Sequence, residues 1–123
     1  AALAIDSLDH LAGDKVRNVQ PLRNYARRTN KVVLVGCGLE RNPDSRPNKR
    51  PVLADIGPWV PLNEHIDHVI CVYLDQIYNP DTVDIGVAEL LIQGMNHTRS
   101  GTVRVSYLPE SQSYTNLKQK KSR

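Results

Sequence analysis

The densest run of chemically capable side chains is Glu64-His65-Ile66-Asp67-His68, with Cys71 three residues further on. Imidazole nitrogen and thiolate sulfur are zinc donors, so His65, His68 and Cys71 make a candidate metal set, and a structural zinc would need a fourth ligand such as His97 or His10. The spacing opposes this, because on a strand His68 and Cys71 point to opposite faces. The same cluster places an imidazole, His65 or His68, beside a carboxylate, Asp67 or Asp75, as a general acid or base requires. No nucleophile accompanies it: Ser100 and Ser106 lie in turn and strand contexts, and Cys37 lies inside an apolar run rather than in an activating one. Solvated strand-end histidines are therefore expected. A small hydrolase or metal-dependent enzyme centred on His65, Asp67 and His68 is the alternative. No catalytic residue, metal ligand or cofactor is assigned.

Val35-Gly36-Cys37-Gly38 closes an apolar run in the manner of nucleotide-binding folds, where glycines let the backbone approach a phosphate at a helix N-terminus. The fingerprint requires a third glycine. Arg41 stands in its place, and Asn42-Pro43 opposes a helix, so a strand-end turn is the expectation. Cys37 and Cys71 are the only cysteines, too few for a disulfide framework. A pair of shielded thiols and a single disulfide both remain open, the former favoured together with an intracellular setting. Asn96-His97-Thr98 is formally a glycosylation sequon, and no secretory signal opens the chain.

Charge is the more informative feature. The net +3 over 123 residues conceals a partition. Residues 1–50 carry ten Lys/Arg against five Asp/Glu, residues 51–109 two against seven, and residues 110–123 four against one. Such asymmetry points to an anionic partner, or to the opposite end of another copy. The candidate phosphate contacts are Arg23, Arg27, Arg28 and Lys31 on a helix face, Lys49 and Arg50 in a proline-rich excursion, and Lys118, Lys120, Lys121 and Arg123 in a tail. Tyr25 and Tyr114 are candidate stacking platforms for bases. The expected partners are single-stranded nucleic acid and further copies of the chain or another protein; no membrane is expected, since no run reaches the roughly 18–20 apolar residues of a span.

The elements that must position these residues read as follows. Ala4, Leu8 and Leu11 follow helical spacing and predict a short helix over 2–12 ending at Gly13. Pro21 suits a first helical position and predicts a second helix to about Thr29. Lys31–Leu39 predicts a buried strand. Five of the eight prolines lie between Arg41 and Pro61, a long excursion with a short strand possible at Val52–Ala54. His68–Tyr78 is the strongest strand signal, and Asn79-Pro80-Asp81 is turn chemistry. Val83–Gly94 fits a strand or a helix, the strand being favoured, and Thr102–Leu108 alternates as a half-buried strand should. Residues 1–109 are expected to form one globular domain and 110–123 a flexible basic tail.

Val87–Pro109, with a strand, a polar loop ending in Gly101 and a second alternating strand, resembles the strand pair of viral jelly-roll coat proteins and of the related cell-to-cell movement proteins of plant viruses. In those families a glycine precedes the alternating strand, as Gly101 precedes Thr102, and an acidic residue follows it, for which Glu110 is the candidate. Movement proteins usually carry Asp followed closely by Arg there, a pattern from which Ser111 and Gln112 depart. The resemblance implies a β-sandwich, self-association and nucleic-acid binding through basic segments; the expected location is intracellular (cytoplasmic) or a virion. The fold class expected is α+β or mainly β, an antiparallel sheet or sandwich with one or two short N-terminal helices. The expected function is a non-enzymatic nucleic-acid-binding or self-assembling structural protein, with the enzyme above and a protein-interaction adaptor as alternatives.

Overall fold

The computed structural model describes residues 2–5, 15–57, 65–95 and 99–117. The chain opens on strand β1 (Ala2–Ile5), not on a helix. Helix α1 (Lys15–Thr29) leads to strand β2 (Val32–Val35), which lies parallel to β1 with Ala2 opposite Val32 and Ile5 opposite Val35. A parallel pair needs a crossover of a dozen or more residues, and α1 provides it. The Ala-Leu-Ala-Ile run was open to misreading because strands of parallel sheets are continuously apolar and carry no alternation. The remainder of the helix expected over 2–12, residues 6–12, lies outside the described residues.

Helix α1 begins at Lys15, six residues ahead of the expected start, so Pro21 lies inside it and not at its first position. Its last turn ends with Asn30 in the left-handed region (φ 54°) and the N–H of Lys31 donating to the carbonyl of Ala26, a bond of the Schellman type that closes a helix. Val19 and Leu22, three positions apart, turn the helix toward Ile56, which is buried among them and Leu53, Ile66, Val69 and Cys71.

The second sheet is an antiparallel meander of β3 (His68–Tyr73), β4 (Val87–Gly94), β5 (Gly101–Leu108) and β6 (Ser113–Asn116), in that order. Cys71 pairs with Leu91, Leu90 with Val103 and Tyr107 with Tyr114. Val69 and Cys71 pack against Ile56, and Tyr73, next on the same face, is buried, while Ile70 and Val72 on the other face are exposed. The strand expected to run to Tyr78 stops at Tyr73, and Asp75–Tyr78 forms a single helical turn, α2. The short strand considered at Val52–Ala54 is instead a 3-10 turn, Leu53–Ile56.

The fold is α+β with an antiparallel sheet and few helices. It is not a sandwich: the parallel pair and the meander are separate sheets, with no second antiparallel sheet among the described residues. The expected tail is also corrected, since residues 113–116 are the fourth strand of the meander. A tight turn with Gln112 at φ 50° returns the chain, and the Tyr114 ring lies 5.1 Å from that of Tyr107. Backbone pairing with β5 and this cross-strand ring contact together hold so polar a segment against the sheet. No described helix is long and apolar enough to cross a membrane.

Candidate functional site

The proline-rich excursion folds around one carboxylate. Asn42 caps a short turn at Pro43–Ser45 by accepting from the N–H of Asp44 at 2.9 Å. This delivers Arg46, whose Nη1 and Nη2 donate to Oδ1 and Oδ2 of Asp55 at 2.8 and 2.7 Å. The N–H of Val52 donates to the same carboxylate at 2.9 Å, and the N–H groups of Glu40 and Arg41 donate to the Asp55 carbonyl. Asp55 is fully buried. The Arg46 guanidinium, followed by the Val52 N–H, holds its carboxyl at about 2, well below the usual value. A long irregular segment thereby becomes a fixed platform.

That platform sets Lys49 and Arg50 against the sheet. Arg50 donates from Nε and Nη2 to Oε2 of Glu89 on β4, at 3.0 and 2.7 Å, and its guanidinium lies 4.5 Å from the centre of the Tyr73 ring. The Tyr73 hydroxyl donates to Oδ1 of Asp75 at 2.7 Å. Burial, reinforced by this bond, pushes the Tyr73 phenol up to about 12. Tyr78 stacks on Tyr73 with ring centres 5.6 Å apart and planes 6° from parallel. The ammonium of Lys49 donates to the Arg46 carbonyl at 3.1 Å. Together Lys49, Arg50, Tyr73, Asp75, Tyr78 and Asn79 line a cleft of about 410 Å³. Hydrogen bonds, those from Thr82 and Tyr73 foremost, hold the Asp75 carboxyl below its usual value, and Arg50 is held firmly cationic by Glu89. With Tyr73 neutral, Asp75 anionic and Arg50 cationic around neutrality, these three bind and position; none is poised for proton transfer near pH 7.

The remaining expected phosphate contacts fall into three situations. Arg23 donates to Asp67 at 3.0 Å, its side chain only 17% exposed, so it ties α1 to the approach of β3. Arg27, Arg28 and Lys31 are exposed at the end of α1, where cations also complement the helix dipole. The Arg28 guanidinium lies 5.8 Å from the Tyr25 ring. Lys118, Lys120, Lys121 and Arg123 lie outside the described residues. Lys49 and Arg50 thus share a cleft that the α1 cations do not line. Arg46, Asp55, Glu89, Tyr73 and Tyr78 were not singled out beforehand, because their partners lie up to 39 residues away and no local spacing announces them.

His68 opens β3, exposed and opposite Gly94, and Asp67 is paired with Arg23. Among the described residues no three His, Cys, Asp or Glu side chains are grouped to hold a metal ion. Neither cysteine is in a disulfide, and Cys37 is exposed where a shielded thiol was expected.

The arrangement of a crossover-linked parallel pair beside a four-stranded meander is shared with other solved structures. It superposes on one solved ATPase domain with a TM-score of 0.79 at 24% identity, over 95% of this chain and 44% of that one. A DnaB-like replicative helicase, described with its interactions with primase, superposes with the same TM-score of 0.79 at 22% identity, over 95% and 31%. The family model of the DnaB-like helicase C-terminal domain matches residues 13–116, and this chain belongs to that family. It is 27% identical over 99 residues to the replicative DNA helicase DnaB of Geobacillus stearothermophilus, covering 80% of this chain. It is 39% identical over 56 residues to that of Synechocystis sp., covering 46% of this chain. The chain spans 22% of the length of the former and 6% of the latter.

Family membership overturns the resemblance to viral coat and movement proteins. The hairpin that carried it is real, as β4 and β5, but alternation marks any half-buried antiparallel pair and does not identify a jelly roll. The viral and virion assignment and the non-enzymatic structural function fall with it. The hydrolase centred on His65, Asp67 and His68 and the interaction adaptor fall to the same finding.

Proposed function

We propose that this chain forms part of the motor of a replicative DNA helicase, an enzyme that separates DNA strands. The match to the DnaB-like helicase C-terminal domain over residues 13–116 carries this. The motor acts inside the cell, on single-stranded DNA, as an assembly of like chains. ATP hydrolysis would supply the energy for movement along the strand. No Gly-Lys pair occurs in the 123 residues. Their share in the motor is therefore strand contact and assembly, and not a P-loop cradle for the ATP phosphates.

The exposed Arg27, Arg28 and Lys31 make phosphate contacts, favoured by release of condensed counterions and indifferent to base sequence. Arg23 holds α1 in position through Asp67. The polypeptide carrying this chain, given a forked duplex and ATP, is expected to release a strand only while ATP is hydrolysed. The double substitution of Arg27 and Arg28 by Ala should lower the salt slope of single-strand binding by roughly 1.4, at about 0.7 per contact. A polypeptide that neither hydrolyses ATP nor separates the fork would overturn the proposal.

A further inference from the structure

The connection from β3 to β4, residues 74–86, presents a surface that strand contact through α1 does not use. After the single turn of α2 the chain reverses at Asn79-Pro80-Asp81, where the N–H of Thr82 donates to the Asn79 carbonyl at 3.0 Å, and it rejoins the sheet at Gly86. Gly86 lies in the left-handed region (φ 73°). Its N–H donates to Oε1 of Gln76 at 2.5 Å, and its carbonyl accepts from the N–H of Tyr107 on β5 at 2.8 Å. Thr82 bonds to Asp75 and accepts from the N–H of Asp84 at 3.2 Å, and Asp84 is paired with Arg104. Bonds to α2, to β5 and within itself therefore brace a loop of irregular backbone.

This braced loop holds apolar side chains in water. Val83 is 97% exposed, Ile77 68% and Ile85 62%. Exposed apolar residues scattered singly are ordinary, but three on one short braced loop make a patch that marks an interaction site. Leu108, 45% exposed, follows Tyr107 at the same end of the sheet. A loop already fixed loses little conformational freedom on binding, so its apolar area converts efficiently into affinity.

Charge selects the occupant. Residues 74–90 contain no Lys or Arg. The Asp84 carboxylate is met by Arg104, whereas Asp81 and Glu110, both exposed, have no ion-pair partner among the described residues. Uncompensated carboxylates repel nucleic-acid phosphates and anionic lipid headgroups, and attract cations. The exposed cations at the end of α1 are accompanied by no exposed large apolar side chain on that helix, so α1 of another copy would satisfy the charge and leave the patch uncovered. We infer that residues 77–85 dock a cationic, apolar segment of a different protein. Its apolar side chains cover Ile77, Val83 and Ile85, and its Lys or Arg meets Asp81. The inference goes beyond the motor reading, since it assigns a partner to a surface that reading leaves unused.

The probe is a labelled amphipathic helical peptide of leucine and lysine, titrated by fluorescence anisotropy into the polypeptide carrying this chain. The same peptide with glutamate for lysine, or with serine for leucine, is the control. The leucine–lysine peptide should bind and both controls should fail. Val83→Ser together with Ile85→Ser should weaken binding by at least about tenfold. Asp81→Asn should weaken it roughly twofold to fivefold and reduce its salt dependence. These side chains are exposed, so unfolding midpoints and ATP-driven fork separation should match the parent. No binding of the leucine–lysine peptide, equal binding of either control, or folded variants that bind as the parent does would overturn the proposal. Loss of fork separation in the Val83, Ile85 double variant would overturn it too, by placing the patch inside the motor. So would self-association in sedimentation velocity that the double variant abolishes, which would give the patch to a second copy.

Discussion

Loss of Arg46 should be worse for stability than loss of the aspartate it serves. Asp55 is fully buried and accepts three hydrogen bonds, two from Arg46 and one from the Val52 N–H, whereas the Arg46 side chain is 32% exposed. Breaking a buried ion pair by removing one partner costs roughly 3–5 kcal/mol, because the other charge is left without compensation. After Asp55→Ala the surviving guanidinium can rehydrate, which places the loss nearer about 2–3 kcal/mol, including the orphaned Val52 N–H. After Arg46→Ala the surviving carboxylate cannot rehydrate, so about 3–5 kcal/mol is expected at pH 7. The pH dependence carries the same logic. The Asp55 carboxyl is depressed to about 2 from an ordinary 3.8, so its contribution is complete above about pH 4 and drains as pH falls toward 2. Arg46→Ala should abolish that drain, since protonation then relieves a buried charge. Urea unfolding midpoints at pH 7, 4, 3 and 2 for parent, both single variants and the double variant measure each quantity. An Arg46→Ala protein within about 1 kcal/mol of the parent at pH 7, or one that keeps the parent's acid slope, would refute the reasoning.

Three further outcomes follow from the geometry. Gly57→Ala should cost on the order of 2 kcal/mol by urea unfolding, because Gly57 has φ 77° and a methyl there would lie 2.8–2.9 Å from Cγ and Cβ of Glu40; an unchanged midpoint would show that the loop relaxes freely. A thiol reagent should label the exposed Cys37 quickly and Cys71, half-buried with its thiol pushed up by burial, slowly; equal rates would contradict this placement. Tyr73 is neutral in the fold up to about pH 12, so its share of stability is intact below the ordinary value near 10 and lost as pH rises toward 12. Unfolding of the parent and of Tyr73→Phe between pH 9 and 12 should therefore diverge in slope, and parallel curves would exclude it.

What could be read from residues alone was what local periodicity records. Thr102–Leu108 alternates because one face meets the sheet's neighbours and the other is open, and the strand favoured over Val83–Gly94 is present as Val87–Gly94. The end of α1 at Thr29 falls where the second helix was expected to stop. Strand β1 was not, since Ala-Leu-Ala-Ile in a parallel pair has no polar face to set a period. Ser113–Asn116 was hidden because its hold on the sheet comes from one ring pair and backbone bonds, not apolar content. The polar platform was hidden more deeply: Arg50 was noticed as a charge, but its engagement by Glu89 and Tyr73 exists only once β3 and β4 are aligned. Identity to the relatives is low, 27% over 99 residues to one of them.

The order of strands in the meander has a kinetic consequence. Each of its three pairings joins neighbours in sequence, β3 to β4, β4 to β5 and β5 to β6, whereas β1 meets β2 only by bringing Ala2 to Val32. Closing a loop costs more entropy as it lengthens, and rates fall as contacting residues lie further apart along the chain. The turn of residues 109–112 and the connection of residues 95–100 close first on these grounds, giving β4, β5 and β6 as the earliest cooperative unit. The buried Asp55 platform and the parallel pair form around a sheet that already exists. Substitutions at Val103 or Tyr107 should therefore slow refolding, and substitutions at Leu34 should chiefly hasten unfolding.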